Sequence, residues 1–260
     1  MDLELKGKRA LVTGSTEGIG FAIAKALAEE GAQVIVNGRS PEKVKKTIQE
    51  LGKGDFIEAP FDLSTEIGSD ALVKEIGQVD ILVNNVGIYE VKPFEQIADR
   101  DWLRIFEVNV MSGIRLSRAF FPKMLKNNWG RIIFISSESG VNVPAEMIHY
   151  GMTKSAQLAI ARGLAELTQG SNVTVNSVLP GPTRTKGVED FVEDVARSKN
   201  ISKEKVEEEF FKNVRPTSLI KRFSEADEVG ALVAFVSSPK AASINGASLR
   251  VEGGIIKSIV

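Results

Sequence analysis

The chain has 260 residues, 43% of them hydrophobic, and a formal charge of -1 with acids and bases interspersed. That length suits one α/β domain with a sizeable core, and the charge balance leaves no basic footprint for nucleic acid and no polybasic patch for a membrane surface. The absence of cysteine excludes disulfides, thiolate catalysis and cysteine metal sites, and a single histidine makes a zinc centre a poor fit.

The N-terminal stretch MDLELKGKRALVTG runs straight into a strand, and no apolar run approaches the ~18 residues of a membrane span. A soluble, cytoplasmic protein acting on a small molecule is expected. Candidate strands cover residues 9–13, 33–37, 56–59, 81–84, 131–136, 173–178 and 248–251, with amphipathic stretches of helical period between them. Runs such as RIIFIS are apolar at nearly every position, the signature of strands covered on both faces, and the alternation of strand and helix implies parallel crossovers. The pattern predicts one domain over residues 1–260, a Rossmann-type doubly wound parallel sheet of about seven strands with helices on both faces. One compositional shift stands out: residues 186–215 are highly charged yet carry apolar residues at helical spacing, and read as an insertion of one or two amphipathic helices.

Two motifs carry chemistry. TGSTEGIG, residues 13–20, lies between a strand and the helical pattern FAIAKALAEEG. Gly14, Gly18 and Gly20 permit a tight turn and close backbone approach, so that the amides of the following helix can meet a pyrophosphate. The spacing is GxxxGxG rather than GxGxxG. The second motif is HYGMTKSAQLAIARGL, residues 149–164, in which Tyr150 and Lys154 are one helical turn apart. A cation beside a phenol favours the phenolate and brings its pKa towards the working range of a general acid or base. An isolated YxxxK is weak evidence, because such spacing is common.

The order of the motifs resembles the short-chain dehydrogenase/reductase family: TGxxxGIG, Asp62-Leu63 after the third strand, NNVG at 84–87, Asn109, Ser137 thirteen residues before Tyr150, YxxxK, and Pro180-Gly181. It covers nearly the whole chain and is most similar to the 3-oxoacyl-acyl-carrier-protein reductase type. The resemblance implies a catalytic set of Asn109, Ser137, Tyr150 and Lys154. Tyr150 would exchange a proton with the substrate oxygen while hydride passes to or from a nicotinamide, and Ser137 would polarise the carbonyl. Lys154 would lower the tyrosine pKa and hold the ribose, and Asn109 would hold a water linking Lys154 to solvent. Implied cofactor contacts are Gly14, Ser15, Thr16, Gly18, Ile19, Gly20, Arg39, Asp62, Leu63, Asn84, Asn85, Val86, Gly87, Pro180, Gly181 and Thr183 or Thr185, besides Tyr150 and Lys154.

Cofactor choice rests on opposed residues. The end of the second strand, where NAD enzymes place an acid, looks like Gly38 followed by Arg39, which leaves room and charge for the 2′-phosphate of NADP. Glu17 in the glycine loop argues for NAD. NADP is expected, with NAD the alternative. Phe191, Val192, Val195, Phe210 and Phe211 of the insertion either form an apolar substrate lid or only anchor surface helices. His149 is expected to pack or touch substrate. The family's C-terminal strand and its long helix, here 99–126, imply a homotetramer. The expected activity is reduction of a ketone or oxidation of a secondary alcohol. The alternatives are an NAD-dependent sugar or polyol dehydrogenase and a non-catalytic dinucleotide sensor.

Overall fold

The protein is described from a computed structural model over residues 1–259. Its strands are β1 (Arg9–Val12), β2 (Gln33–Gly38), β3 (Asp55–Pro60), β4 (Ile81–Asn84), β5 (Gly130–Ile135), β6 (Val173–Pro180), β7 (Thr183–Arg184), β8 (Ser224–Glu225) and β9 (Ser248–Val251). Seven of them form a sheet in the order β3-β2-β1-β4-β5-β6-β9, every pair parallel. The predicted doubly wound single domain is therefore the observed one, and each predicted strand is found within two residues of its expected ends. β7 and β8 pair separately, as two-residue pieces too short to be read from the sequence.

Alternate side chains of each central strand feed opposite cores, as the two-residue repeat of a strand requires. Ala10, Val12, Val34, Val36, Ile133 and Ile135 pack with helices α1 (Gly18–Glu29) and α9 (Ala226–Ser237) on one face. Leu11, Ile35, Ile132 and Phe134 pack on the other with α3 (Glu66–Ile76), α5 (Ser112–Lys126) and α6 (Ile148–Glu166). Both β5 and β6 are buried at every position; β5 reads as a nearly continuous apolar run, whereas β6 buries Thr174, Asn176 and Ser177 among its apolar residues. α2 (Pro41–Leu51) begins just beyond β2; Ser40 caps it by accepting from the Lys43 amide at 3.2 Å, and Pro41 fills its first turn.

The long helix expected over 99–126 is interrupted: α4 (Asp99–Phe106) passes through a π turn at Glu107–Met111 into α5. Such turns widen a helix and re-aim its carbonyls, frequently beside functional sites. The insertion is a pair of helices, α7 (Lys186–Lys199) and α8 (Lys203–Asn213), capped by Thr185 and Ser202 and joined through Asn200 in the left-handed conformation at φ 53°. Val192, Ala196, Val206, Phe211 and Phe223 form a small core of their own, with Val195 and Phe210 packed against it, and the rings of Phe210, Phe211 and Phe223 lie 5.1 Å apart. Of the five apolar residues weighed as a lid, four serve this local core and only Phe191 stands half exposed. Among the described residues no helix is long and apolar enough to cross a membrane.

Candidate active site

Where the chain crosses from β3 to β4, strand order reverses about β1 and opens a crevice at the carboxyl ends of the strands, the place where open α/β sheets bind ligands. The cleft there has a volume of about 990 Å³. Its floor is the glycine turn, fixed by polar side chains from neighbouring strands. Thr13 Oγ1 accepts from the amides of Asn85 and Val86 at 2.8 and 3.0 Å, and Asn85 Nδ2 donates to the carbonyls of Thr13 and Gly14. Asn37, the one amide in the apolar run VIVNG, accepts from the Gly14 amide at 3.1 Å and donates to the carbonyls of Ala59 and Phe61. Sequence reasoning missed Asn37, although a polar residue inside a buried strand was the available signal. At Gly20 a Cβ would lie 2.3 Å from the Gly14 carbonyl oxygen, so a side chain there would break the turn.

Of the residues proposed for cofactor binding, Gly14, Thr16, Ile19, Gly20, Arg39, Asp62, Leu63, Asn85, Val86, Gly87, Pro180 and Gly181 line the cleft. Ser15 is turned inward, its hydroxyl accepting from the Asn37 amide. Gly18 lies at the start of α1 behind the lining residues. Asn84 is buried and donates to Ser117. Thr183 bonds back to the Gly181 carbonyl, while Thr185 reaches the cleft. At the far end a side chain on Gly38 would come within 2.5 Å of Thr16 Cγ2, so an acid at that position would require the Thr16 side chain to move. Arg39 and Ser40 stand beside it, and Lys43 reaches across from α2 to pair with Glu17 at 2.7 Å.

The other end of the cleft holds Ser137, Tyr150 and Lys154 together. β5 ends at Ile135 and delivers both serines. Ser136 donates to the Lys154 carbonyl at 2.8 Å and is thereby tied to α6, whereas the Ser137 hydroxyl lies beside the phenol. The two serines, equivalent by composition, have separate partners. α6 carries Tyr150 and Lys154 on one face, with the ammonium 5.5 Å from the tyrosine ring centroid. Burial pushes the phenol up to about 12, with the Ser137 hydrogen bond opposing it. Burial likewise pushes Lys154 down to about 7. The expected lowering of the tyrosine by the lysine is thus absent from the protein alone. Desolvation of the phenol is the largest influence on it.

Asn109 lies in the π turn, 1% exposed, and its side chain is fully occupied: it accepts from the Ile88 amide at 2.7 Å and donates to the Ile88 carbonyl and to Thr153 Oγ1. Its amide group makes no bond to Lys154. The link between them is Gln157, buried one turn along α6, whose side chain touches both. His149 faces away from the cleft, packed edge-on to Trp102 at 5.8 Å, with neither ring nitrogen hydrogen-bonded. A second buried feature was not read from the sequence: Arg215, just after α8, donates to Glu138 at 3.0 Å and to Glu146 at 3.2 Å, tying the helical insertion to the loop behind Ser137.

The turn, the cleft and the cation pair at its far end fit a dinucleotide, with Tyr150, Ser137 and Lys154 at the end where chemistry would occur. Comparison with known proteins agrees. Residues 8–196 match the family described as short chain dehydrogenase. The uncharacterized oxidoreductase YvaG of Bacillus subtilis (strain 168) is 49% identical over 263 residues, covering 100% of both chains. The 3-oxoacyl-[acyl-carrier-protein] reductase FabG of Aquifex aeolicus (strain VF5) is 33% identical, covering 98% of this chain and 100% of its own. Among solved structures, L-sorbose reductase from Gluconobacter frateurii, complexed with NADPH and L-sorbose, superposes with a TM-score of 0.93 at 29% identity over 100% of both chains.

Proposed function

The chain belongs to the short-chain dehydrogenase family of oxidoreductases, and from that premise we propose that it moves hydride between NADP(H) and a ketone or secondary alcohol. The observation that carries the reading is the convergence of Ser137, Tyr150 and Lys154 in one cleft with the glycine turn. When bound, the nicotinamide supplies or takes up the hydride. Tyr150 gives its proton to the substrate oxygen in reduction and takes it back in oxidation. Ser137 donates to the same oxygen and stabilises the charge that develops there. Lys154, titrating near neutrality because it is buried, replaces the proton that Tyr150 loses.

Preference for NADP is supported by the far end of the cleft. Glu17, the residue that argued against a 2′-phosphate, is paired with Lys43 at the surface, and position 38 is a glycine, with no acid of the kind that would favour NAD. Arg39 is then free to bind phosphate. The substrate proposed is a small or medium apolar ketone; the likeness to a sorbose reductase supports a sugar or polyol as the second reading. The test is calorimetric titration with NADPH and NADH at matched salt, followed by turnover on a panel of ketones, 3-oxoacyl thioesters and ketoses. Tighter NADPH binding with turnover supports the reading; tighter NADH binding overturns the cofactor assignment.

A further inference from the structure

Gln157 is 1% exposed and sits between the two groups whose connection the proton chemistry needs. Lys154, 4% exposed, donates from Nζ to the Ile135 carbonyl at 2.9 Å and to Gln157 Oε1 at 3.2 Å. The other end of the same amide, Nε2, donates to the Asn109 backbone carbonyl at 2.6 Å. The carboxamide accepts at one end and donates at the other, and here its orientation is fixed by its neighbours. Turned over, it would set donor against ammonium and oxygen against carbonyl. The carbonyl it meets belongs to the π turn, which brings that strip of helix within reach of α6.

We propose that Gln157 is a positioning residue of the proton path: it clamps Lys154 to the π-turn carbonyl of Asn109 and closes that side of the lysine to proton exchange. The proposal rests on the reading of Tyr150 and Lys154 as the proton-handling pair. An amide passes geometry but not protons, since neither loss nor gain of a proton by it is accessible near neutral pH. Two of the three ammonium hydrogens are committed to Ile135 and Gln157, which leaves one directed by elimination towards the cleft and Tyr150. Proton exchange of Lys154 then runs through the cleft. The groups around Lys154 include no acid to compete with this arrangement. β5 presents the Ile135 carbonyl, the turn after β4 presents Gly87, the π turn presents Asn109, and α6 itself presents Tyr150 and Gln157. The charges of Glu138 and Arg215 act on Tyr150 from the loop behind Ser137.

The test compares the full-length wild type with Gln157→Leu and with the near-isosteric Gln157→Glu. Titration of Lys154 is followed by NMR of ¹³Cε,¹⁵Nζ-lysine, assigned with Lys154→Met, and the pH profile of kcat is recorded on the best substrate of the panel. Loss of the acceptor in Gln157→Leu is expected to lower the Lys154 titration by about half a pH unit or more, and a carboxylate in Gln157→Glu to raise it by about one. The kcat profile is expected to move in the same directions, with kcat of Gln157→Leu down about tenfold. If both variants titrate and turn over at the wild-type pH, or lose only melting temperature, Gln157 is a space-filling core residue and the proposal falls. Should the wild type reduce nothing on the panel, the catalytic reading fails separately, while the NMR titration still decides whether Gln157 holds the lysine.

Discussion

Arg215→Met is expected to destabilise the protein in a manner that depends on pH. The guanidinium is 10% exposed and Glu138 is 4% exposed, and the second oxygen of Glu138 already has no hydrogen-bond partner. Removing the arginine strands a buried carboxylate, for which losses of about 3–5 kcal/mol are usual. Glu146, the other partner, is 41% exposed and remains solvated, so it adds little. For a domain of this size each kcal/mol corresponds to about 2–4 °C, so the midpoint at pH 8 should fall by roughly 6–20 °C. Burial already raises the Glu138 pKa against the pull of Arg215, and without the arginine it rises further. A carboxyl whose folded pKa lies above its unfolded value is stable below the unfolded pKa and loses stability as pH rises through the folded one. The deficit of Arg215→Met should therefore be largest at pH 8 and shrink towards pH 5, and adding Glu138→Gln should recover most of it. Urea unfolding followed by tryptophan fluorescence at both pH values measures this. A deficit below about 0.5 kcal/mol, or one equal at the two pH values, would refute the argument, since surface changes commonly fall in that range.

Tyr150→Phe should lower turnover by about 10²–10⁴-fold while leaving the melting temperature near that of the wild type; retained turnover would remove Tyr150 from the proton step. Arg39→Ala should weaken NADPH about tenfold or more and NADH little, as loss of a charge-assisted hydrogen bond predicts. Lys43→Ala should weaken NADPH by exposing the charge of Glu17, and Glu17→Gln in the same chain should restore it; equal effects on NADH and NADPH would show that the pair has no part in phosphate binding. Burial lowers the His149 pKa, so wild-type stability should decline as pH falls below the ordinary histidine value of about 6.5 towards the lower folded value. His149→Phe should lose that acid limb in thermal unfolding from pH 8 to 5, and an unchanged slope would place the acid sensitivity elsewhere.

The sheet was legible because its strands are buried on both faces, and a strand such as GRIIFI leaves no periodicity to misread. The Tyr150–Lys154 spacing was legible for a related reason: one helical turn puts the two side chains together wherever the helix packs. What escaped were contacts made only by tertiary approach. Lys43 is 26 residues from Glu17, and nothing local announces that α2 will lean its lysine over the glycine turn. Gln157 carries no motif of its own, and only the packing of α6 buries its amide between the Lys154 ammonium and the Asn109 carbonyl. Helical period showed that α7 and α8 are amphipathic but not which way the pair turns, and the structure turns Val192, Phe211 and their neighbours towards each other. Spacing reveals a neighbour's presence but not how far burial desolvates the phenol, which is what raises its pKa in the protein alone.

The position of β9 has a consequence for how the molecule is made. β9 pairs with β6 through Ser177–Ser248 to Pro180–Val251, and the Gly181 amide donates to the Val251 carbonyl at 3.2 Å, so the loop after β6 is seated by a strand made about 70 residues later. A nascent chain grown to residue 240 already carries the glycine turn, the tyrosine and the lysine, but one wall of the cleft has nothing to rest on. The roughly 70 residues from Val178 to Leu249 take about 4–14 s to synthesise at ~5–20 residues per second, and for that interval the edge of β6 is open. That wall of the cleft therefore closes late, and a ribosome-bound fragment exposes an unpaired strand edge before its cleft is complete.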